Sequence, residues 1–193
     1  PGVVPLAMID LWKGKGDGSL EIYALERSEE HREAYKHLID AYALAVPHIS
    51  VHPPLSGDLV QIAGENRSDL PEKVNLITFQ NVLVELEGLN VREKASIVIA
   101  YAERLSEDGL VIIVEPAEMR HATTLRMIQR ELVAHGLYVY APCSFPWGIT
   151  CRPTTCWTFQ QQEPILPSPL MILMAGQGEE YRFYNTDIKY SYL

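Results

Sequence analysis

Leu20-Glu-Ile-Tyr-Ala-Leu-Glu-Arg-Ser28 is the stretch on which the fold turns. Its apolar residues read as a buried strand, an acid stands at its end, and Ser28 followed by Glu29 and Glu30 opens a helix. A strand that ends on an acid and passes directly into a helix is how nucleotide-binding α/β proteins hold a ribose, which makes Glu26 the candidate ribose ligand. A carboxylate suits that task because it only accepts hydrogen bonds and the strand holds it rigidly. A helix-capping or solvent-exposed acid is the plainer alternative.

Outward from that stretch, helices and strands alternate. Upstream, Gly2 to Trp12 reads as a buried helix with Pro5 in its first turn, and Lys13 to Ser19 as a glycine-rich loop. Downstream, the Ser28 helix runs to Ala45, before Pro47, with Ala34, Tyr35, Leu38, Ile39 and Tyr42 on one face. Ile49 to Val51 is a short strand, His52 to Asp58 an irregular turn, Gly64 to Lys73 a polar loop and Val74 to Phe79 a strand. Val82 to Leu86 begins a helix or a short loop and helix. Asn90 caps a helix from Val91 to Leu105, Asp108-Gly109 turns, and Leu110 to Val114 is a continuous β-branched strand. Thr123 to His135 is a helix closed by Gly136, and Leu137 to Ala141 a further strand. Leu170 to Ala175 is apolar, and Tyr181 to Leu193 holds the last strand.

This order predicts an α/β fold with a doubly wound, mainly parallel sheet and an antiparallel C-terminal edge. A single domain over residues 1–193 is expected, with a Cys- and Pro-rich loop insertion at 142–169. Both ends of the chain, Pro1-Gly2 and Tyr190 to Leu193, read as cut inside structure.

The chain has 193 residues, 47% of them hydrophobic, which suits one globular domain. The absence of a long apolar run or a signal-like start predicts a protein without membrane attachment, in the cytoplasm. A formal charge of −9 excludes a simple polycationic nucleic-acid binder, because Lys and Arg must neutralise phosphates; any RNA contact needs a local patch or a partner. The three cysteines, Cys143, Cys151 and Cys156, share one Pro-rich segment. They suit a metal, zinc or an iron-sulfur cluster, with His48 or His52 as further candidate ligands; small buried thiols are the other reading.

In an open α/β sheet a ligand lies outside the carboxyl ends of the strands, here Glu26-Arg27, Asp58, Gln80-Asn81 and Glu115-Pro116. The Pro-Gly turn before a helix, the Leu20 to Ser28 stretch, Asn75-Leu-Ile-Thr-Phe-Gln-Asn-Val-Leu-Val-Glu-Leu86 and Gly109-Leu-Val-Ile-Ile-Val-Glu-Pro116 together resemble class I S-adenosylmethionine-dependent methyltransferases. Val-Glu-Pro-Ala, Leu125-Arg126, Ala141-Pro142-Cys143 and Cys156-Trp157-Thr158-Phe159 look more narrowly like the mitochondrial small-ribosomal-subunit methyltransferase-like family and its prokaryotic relatives.

The resemblance implies a Rossmann-like methyltransferase fold whose first strand is missing from this chain. It places Pro1 and Gly2 at the methionyl end of S-adenosylmethionine, Glu26 with Arg27 at the ribose, Asp58 or Leu59 beside the adenine, and Gln80, Asn81 and Val82 along the transfer site. It also implies an iron-sulfur cluster at the cysteines, and as partners the small ribosomal subunit and an amino-terminal segment, or another chain, that completes the sheet. Asn81 and Glu85 are the nearest polar groups to the expected transfer site, and no residue is assigned a catalytic role. A non-catalytic assembly factor and a small-molecule methyltransferase are the rival functions.

Overall fold

The structure is a computed structural model that describes residues 2–13, 18–43, 46–65, 69–142, 156–162, 169, 173 and 188–193. Pro1, Cys143, Cys151, Trp147, the apolar segment from Leu170 to Ala175 and most of the segment from Tyr181 lie largely or wholly outside them. The elements are α1 (Val3–Lys13), β1 (Leu20–Ile22), β2 (Leu25–Glu26), α2 (Glu29–Ala43), β3 (Ile49–Val51), β4 (Leu55–Ser56) and α3 (Leu59–Ala63). They continue with β5 (Val74–Gln80), α4 (Val91–Ala102), β6 (Leu105–Pro116), α5 (Met119–Ala134), β7 (Gln160–Gln162) and β8 (Ile188–Tyr192). Two compact units form, Pro1–Thr78 with Ser96–Val111 and Phe79–Ala95 with Ile112–Leu193.

The alternating α/β order is as expected. Among the described residues, β1 pairs with β3 and β2 with β4, both parallel, and a separate sheet runs β5-β6-β8-β7. The expected strand from Leu20 to Leu25 is broken at Tyr23-Ala24. Its partner explains the break: Pro53 and Pro54 stand where a parallel neighbour must donate, and proline has no N–H. The ladder therefore stops after the His52 amide bonds the Ile22 carbonyl (2.9 Å) and resumes where the Leu55 amide bonds the Ala24 carbonyl (2.8 Å). The segment expected as an irregular turn thus contains β4, and α3, which no sequence signal assigned, follows it.

In the first unit Ile9, Ile22, Tyr35 and Ile39 form a buried cluster that joins α1, β1 and α2. The helix expected to be buried, α1, buries only Ile9 completely, and Leu38, expected on the apolar face of α2, is 48% exposed. The two helices are also tied by the Tyr42 hydroxyl, which donates to Asp10 Oδ1 at 2.6 Å, and by Lys13, whose Nζ bonds the same oxygen at 3.3 Å and lies 3.9 Å from the centre of the Tyr42 ring. These donors, the Tyr42 hydroxyl first, hold the Asp10 carboxyl below its ordinary value.

Tyr35 is buried, and among the described residues its hydroxyl has no hydrogen-bond partner. Burial pushes its ionisation up to about 12 from 10.0. The folded chain therefore holds this proton more tightly than the unfolded chain, and stability falls as pH rises from 10 through about 12. Tyr35→Phe removes a desolvated, unpaired hydroxyl and is expected to raise the unfolding free energy by about 1 kcal/mol at neutral pH. Urea melts of the variant should show that gain and a shallower decline at alkaline pH; a loss of stability would mean that the hydroxyl is bonded.

In the second unit α5 packs on β8, with Leu125, Ile128, Leu132 and Ile113 buried. Helix α5 starts four residues before Thr123, and its end follows expectation: Gly136 adopts φ 93°, and the Gly136 and Leu137 amides bond the Val133 and Leu132 carbonyls at 3.1 and 3.2 Å, a Schellman closure. The strand expected at Leu137 to Ala141 does not form; those residues pair in no ladder, and Tyr138 and Tyr140 are exposed. The outer strand is instead β7, at Gln160–Gln162. The antiparallel C-terminal edge is made by β8 and β7 together: β8 lies between β6 and β7 and is antiparallel to both.

Asn90 caps α4 as expected, accepting from the Arg92 and Glu93 amides at 2.9 and 3.1 Å while Glu93 accepts from the Asn90 amide at 2.6 Å, a complete capping box. Helix α4 ends at Ala102 rather than Leu105. Strand β6 then begins early and carries Asp108-Gly109 within it. The chain still tightens there, since a Cβ on Gly109 would lie 2.9 Å from Leu105 Cβ.

Candidate functional site

The carboxyl ends of β2 and β4 lie side by side because the two strands are parallel, with Glu26 in register with Ser56. The Glu26 side chain is part-buried. Its Oε1 accepts the Ser28 amide at 2.9 Å, and its Oε2 lies 3.8 Å from His31 Nδ1. Ser28 in turn accepts the His31 amide at 3.3 Å, so the acid and the serine close the first turn of α2 together. The capping role weighed for Glu26 is thus real, yet each carboxylate oxygen has two acceptor positions, and acceptor capacity remains. Arg32 donates to the Glu26 and Arg27 carbonyls at 3.0 and 2.8 Å and fixes the backbone of the strand end.

Arg27 reaches across to Asp58, 3.7 Å from guanidinium to Oδ2, at an exposed position where such a pair adds little stability. Asp58 is the N-cap of α3, its Oδ1 accepting the Val60 and Gln61 amides at 2.9 and 3.4 Å. Leu59 opens that helix, and its carbonyl accepts the Tyr101 hydroxyl at 3.1 Å. Gly2 stands before α1 with φ 85°, and its carbonyl accepts the Leu6 amide at 3.0 Å. A Cβ there would lie 3.6 Å from the Tyr35 ring. Glycine is the residue that adopts this backbone freely. Glu26, Arg27, Asp58 and Leu59 are thereby brought to neighbouring strand and helix ends. A cavity of about 480 Å³ in the same unit, lined by Ile62, Glu65, Tyr101 and Arg104 among others, contains none of these candidates.

In the second unit, Gln80 ends β5 and Asn81 follows in the left-handed region at φ 52°, both exposed, with the Asn81 amide bonded to the Val114 carbonyl at 2.8 Å. The next residues form turns before α4, the loop-and-helix alternative of the two expected. Their backbone is held by Glu115, which is only 3% exposed: Oε1 accepts the Leu83 amide at 2.9 Å and Oε2 the Val84 amide at 3.3 Å. Lys94, 9% exposed, donates to the Leu83 carbonyl at 2.6 Å. Burial raises the Glu115 carboxyl above its ordinary value against the opposing pull of those amides and of Lys94. Burial likewise lowers Lys94, helped by Arg120 and opposed by Glu115 and Glu87. Sequence reasoning places Glu115 at a strand end and gives it no role. The available signal was an acid closing a β-branched run.

Of the cysteines only Cys156 is described, with its Sγ 2.9 Å from Thr158 Oγ1. Among the described residues no group of three or more His, Cys, Asp or Glu is placed to hold a metal ion. His52 stacks on Tyr23 with ring centres 4.0 Å apart, and its Nε2 lies 3.5 Å from Glu21. Trp157 donates to the Ala117 carbonyl at 2.6 Å. No described helix is long and apolar enough to cross a membrane.

No curated protein sequence matches the chain. Solved structures that match include that of the mitomycin 7-O-methyltransferase MmcR, at 16% identity and a TM-score of 0.37, over 68% of this chain and 43% of that one. At that level of likeness no residue role passes from it to this chain. The family described as mitochondrial small ribosomal subunit Rsm22 matches residues 1–192.

Proposed function

The chain belongs to the Rsm22 family, and from that premise we propose that it is an S-adenosylmethionine-dependent methyltransferase domain that acts on, or assembles with, the small ribosomal subunit. The observation that carries the cofactor reading is the pairing of β2 with β4, which sets Glu26 and Asp58 at adjacent carboxyl ends with acceptor capacity left on Glu26. In this reading Pro1 and Gly2 face the methionyl end, Glu26 accepts the ribose hydroxyls with Arg27 beside it, Asp58 and Leu59 flank the adenine, and Gln80, Asn81 and Val82 line the transfer site. The cofactor supplies an activated methyl group. The protein's part is to hold the acceptor in line with it and to keep water out, which demands positioning more than acid–base chemistry. Accordingly no residue is given a catalytic role.

The cysteines Cys143, Cys151 and Cys156 are kept as a proposed zinc or iron-sulfur site, completed by a fourth ligand. An amino-terminal segment of the protein, or another polypeptide, is kept as the proposed partner that completes the sheet. The charge of −9 favours an acceptor met through a local patch, or a small molecule, over broad contact with RNA.

Titration calorimetry of the full-length protein with S-adenosylmethionine is expected to show one site per chain. The absence of heat at millimolar cofactor would favour a non-catalytic assembly factor. Co-sedimentation with small subunits across a salt series is expected to retain the protein at low salt; its loss there would favour a small-molecule acceptor.

A further inference from the structure

The backbone of the residues just after β5 is held by side chains of the second unit. Neither helix nor strand satisfies the backbone of Leu83 and Val84. Instead the Glu115 carboxylate takes both amides, one on each oxygen, and Lys94 takes the Leu83 carbonyl. Leu83 is thus held at its amide, at its carbonyl and, being 2% exposed, at its side chain. On the other flank the Asn81 amide is tied to Val114, the residue next to Glu115. Asn81 is left between these anchors with φ 52°, a conformation asparagine tolerates better than most residues, and with its side chain exposed.

Two buried charges are a costly way to pack a turn, since an apolar pair of similar volume would fill the space without desolvation. What a carboxylate and an ammonium add is direction: they fix which way each peptide unit faces. Ligands of open α/β sheets lie at this end of the strands.

We propose that Glu115 and Lys94 are positioning residues that set the backbone of residues 80–84 and so present Gln80 and Asn81 to the ligand. Neither side chain touches the ligand; each acts through the peptide groups of Leu83 and Val84. The ligand part of this inference rests on the S-adenosylmethionine reading above, while the backbone part does not.

Glu115→Gln keeps the size of the side chain but turns one acceptor into a donor that faces the Val84 amide. Lys94→Met keeps the stem and removes the donor. In the full-length protein, calorimetry with S-adenosylmethionine is expected to show at least tenfold weaker binding for Glu115→Gln and a smaller loss for Lys94→Met, with no change for the exposed control Glu118→Gln. Amide spectra give a readout independent of the cofactor: the Asn81, Leu83 and Val84 resonances should move in both variants while those of α5 stay.

Wild-type binding with unchanged affinity in Glu115→Gln overturns the inference and leaves the cofactor reading intact. If the wild type itself does not bind, the cofactor reading falls, and with it the ligand part of the inference. The amide shifts then decide the backbone part, which unmoved Asn81 and Leu83 resonances overturn.

Discussion

Arg126→Ala is expected to lower the unfolding free energy by about 3 kcal/mol, the sum of a cavity and an orphaned carbonyl. For a chain of this size that is a fall in melting temperature of roughly 6 to 12 °C. Arg126 is 1% exposed and lies on the face of α5 that packs on β8. Its guanidinium donates to the Tyr192 carbonyl in β8 and, at 2.8 Å, to Gln129 Oε1 in its own helix. Its Nε has no partner among the described residues, so the side chain is not an optimised ion pair but a clasp between two elements far apart in sequence.

Truncation to alanine leaves the Tyr192 carbonyl without its donor and empties the space of a long side chain. Arg126→Met refills most of that space and sheds the buried charge, so its cost should be nearer 1 kcal/mol. Denaturant melts of the two variants, with hydrogen exchange at β8, separate packing from hydrogen bonding. The β8 amides should lose protection first, because the clasp on the Tyr192 carbonyl is lost, while the ladders of β8 to β6 and β7, the reciprocal Ile113–Leu193 backbone bonds at 2.7 and 2.8 Å and the Ser191 hydroxyl on the Thr158 carbonyl at 3.0 Å remain. An alanine variant as stable as the wild type would remove Arg126 from any structural role.

Glu26→Gln is expected to weaken S-adenosylmethionine binding by about 10- to 100-fold, since hydrogen bonds to a charged acceptor contribute roughly 1.5–3 kcal/mol. The amide retains one oxygen for the Ser28 N–H, so the first turn of α2 stays closed and stability should change by less than about 1 kcal/mol. The contrast between a large loss of affinity and a small loss of stability is what distinguishes a ribose ligand from a cap. Calorimetry beside a thermal melt reads both quantities on one sample. If affinity holds while the melting temperature drops, Glu26 is a cap alone. The variant also differs from Glu115→Gln in its amide spectrum: the Leu83 and Val84 resonances should stay in place when Glu26 is changed.

Most elements were legible where a local rule decides. Asn90 at the start of α4, Ser28 at the start of α2 and Gly136 after α5 each act within a few residues, and each stands where expected. Positions that depend on a partner were less legible. The break at Tyr23-Ala24 is written in Pro53 and Pro54, but only the parallel register brings those residues opposite it. Leu137 to Tyr140 has the alternation of a strand and lacks a ladder, because a strand is defined by its neighbour and not by its own side chains. At the candidate site, Glu26 and Asp58 were legible as strand ends. Their shared use as helix caps was legible only in part, since it needs the direction in which each carboxylate turns.

By itself the sequence determined the α/β class, the order of α1, α2, β3, β5, α4, β6 and α5, and the acids Glu26 and Asp58 that end β2 and precede α3. Periodicity, capping and proline chemistry are properties of the chain within a few residues. The tertiary structure alone decided that β8 lies between β6 and β7, that Arg126 clasps it, and that Glu115 and Lys94 grip the segment after β5. These features depend on which distant backbone groups are left without partners once the elements pack, and a buried polar side chain goes to whichever of those groups lies within its reach.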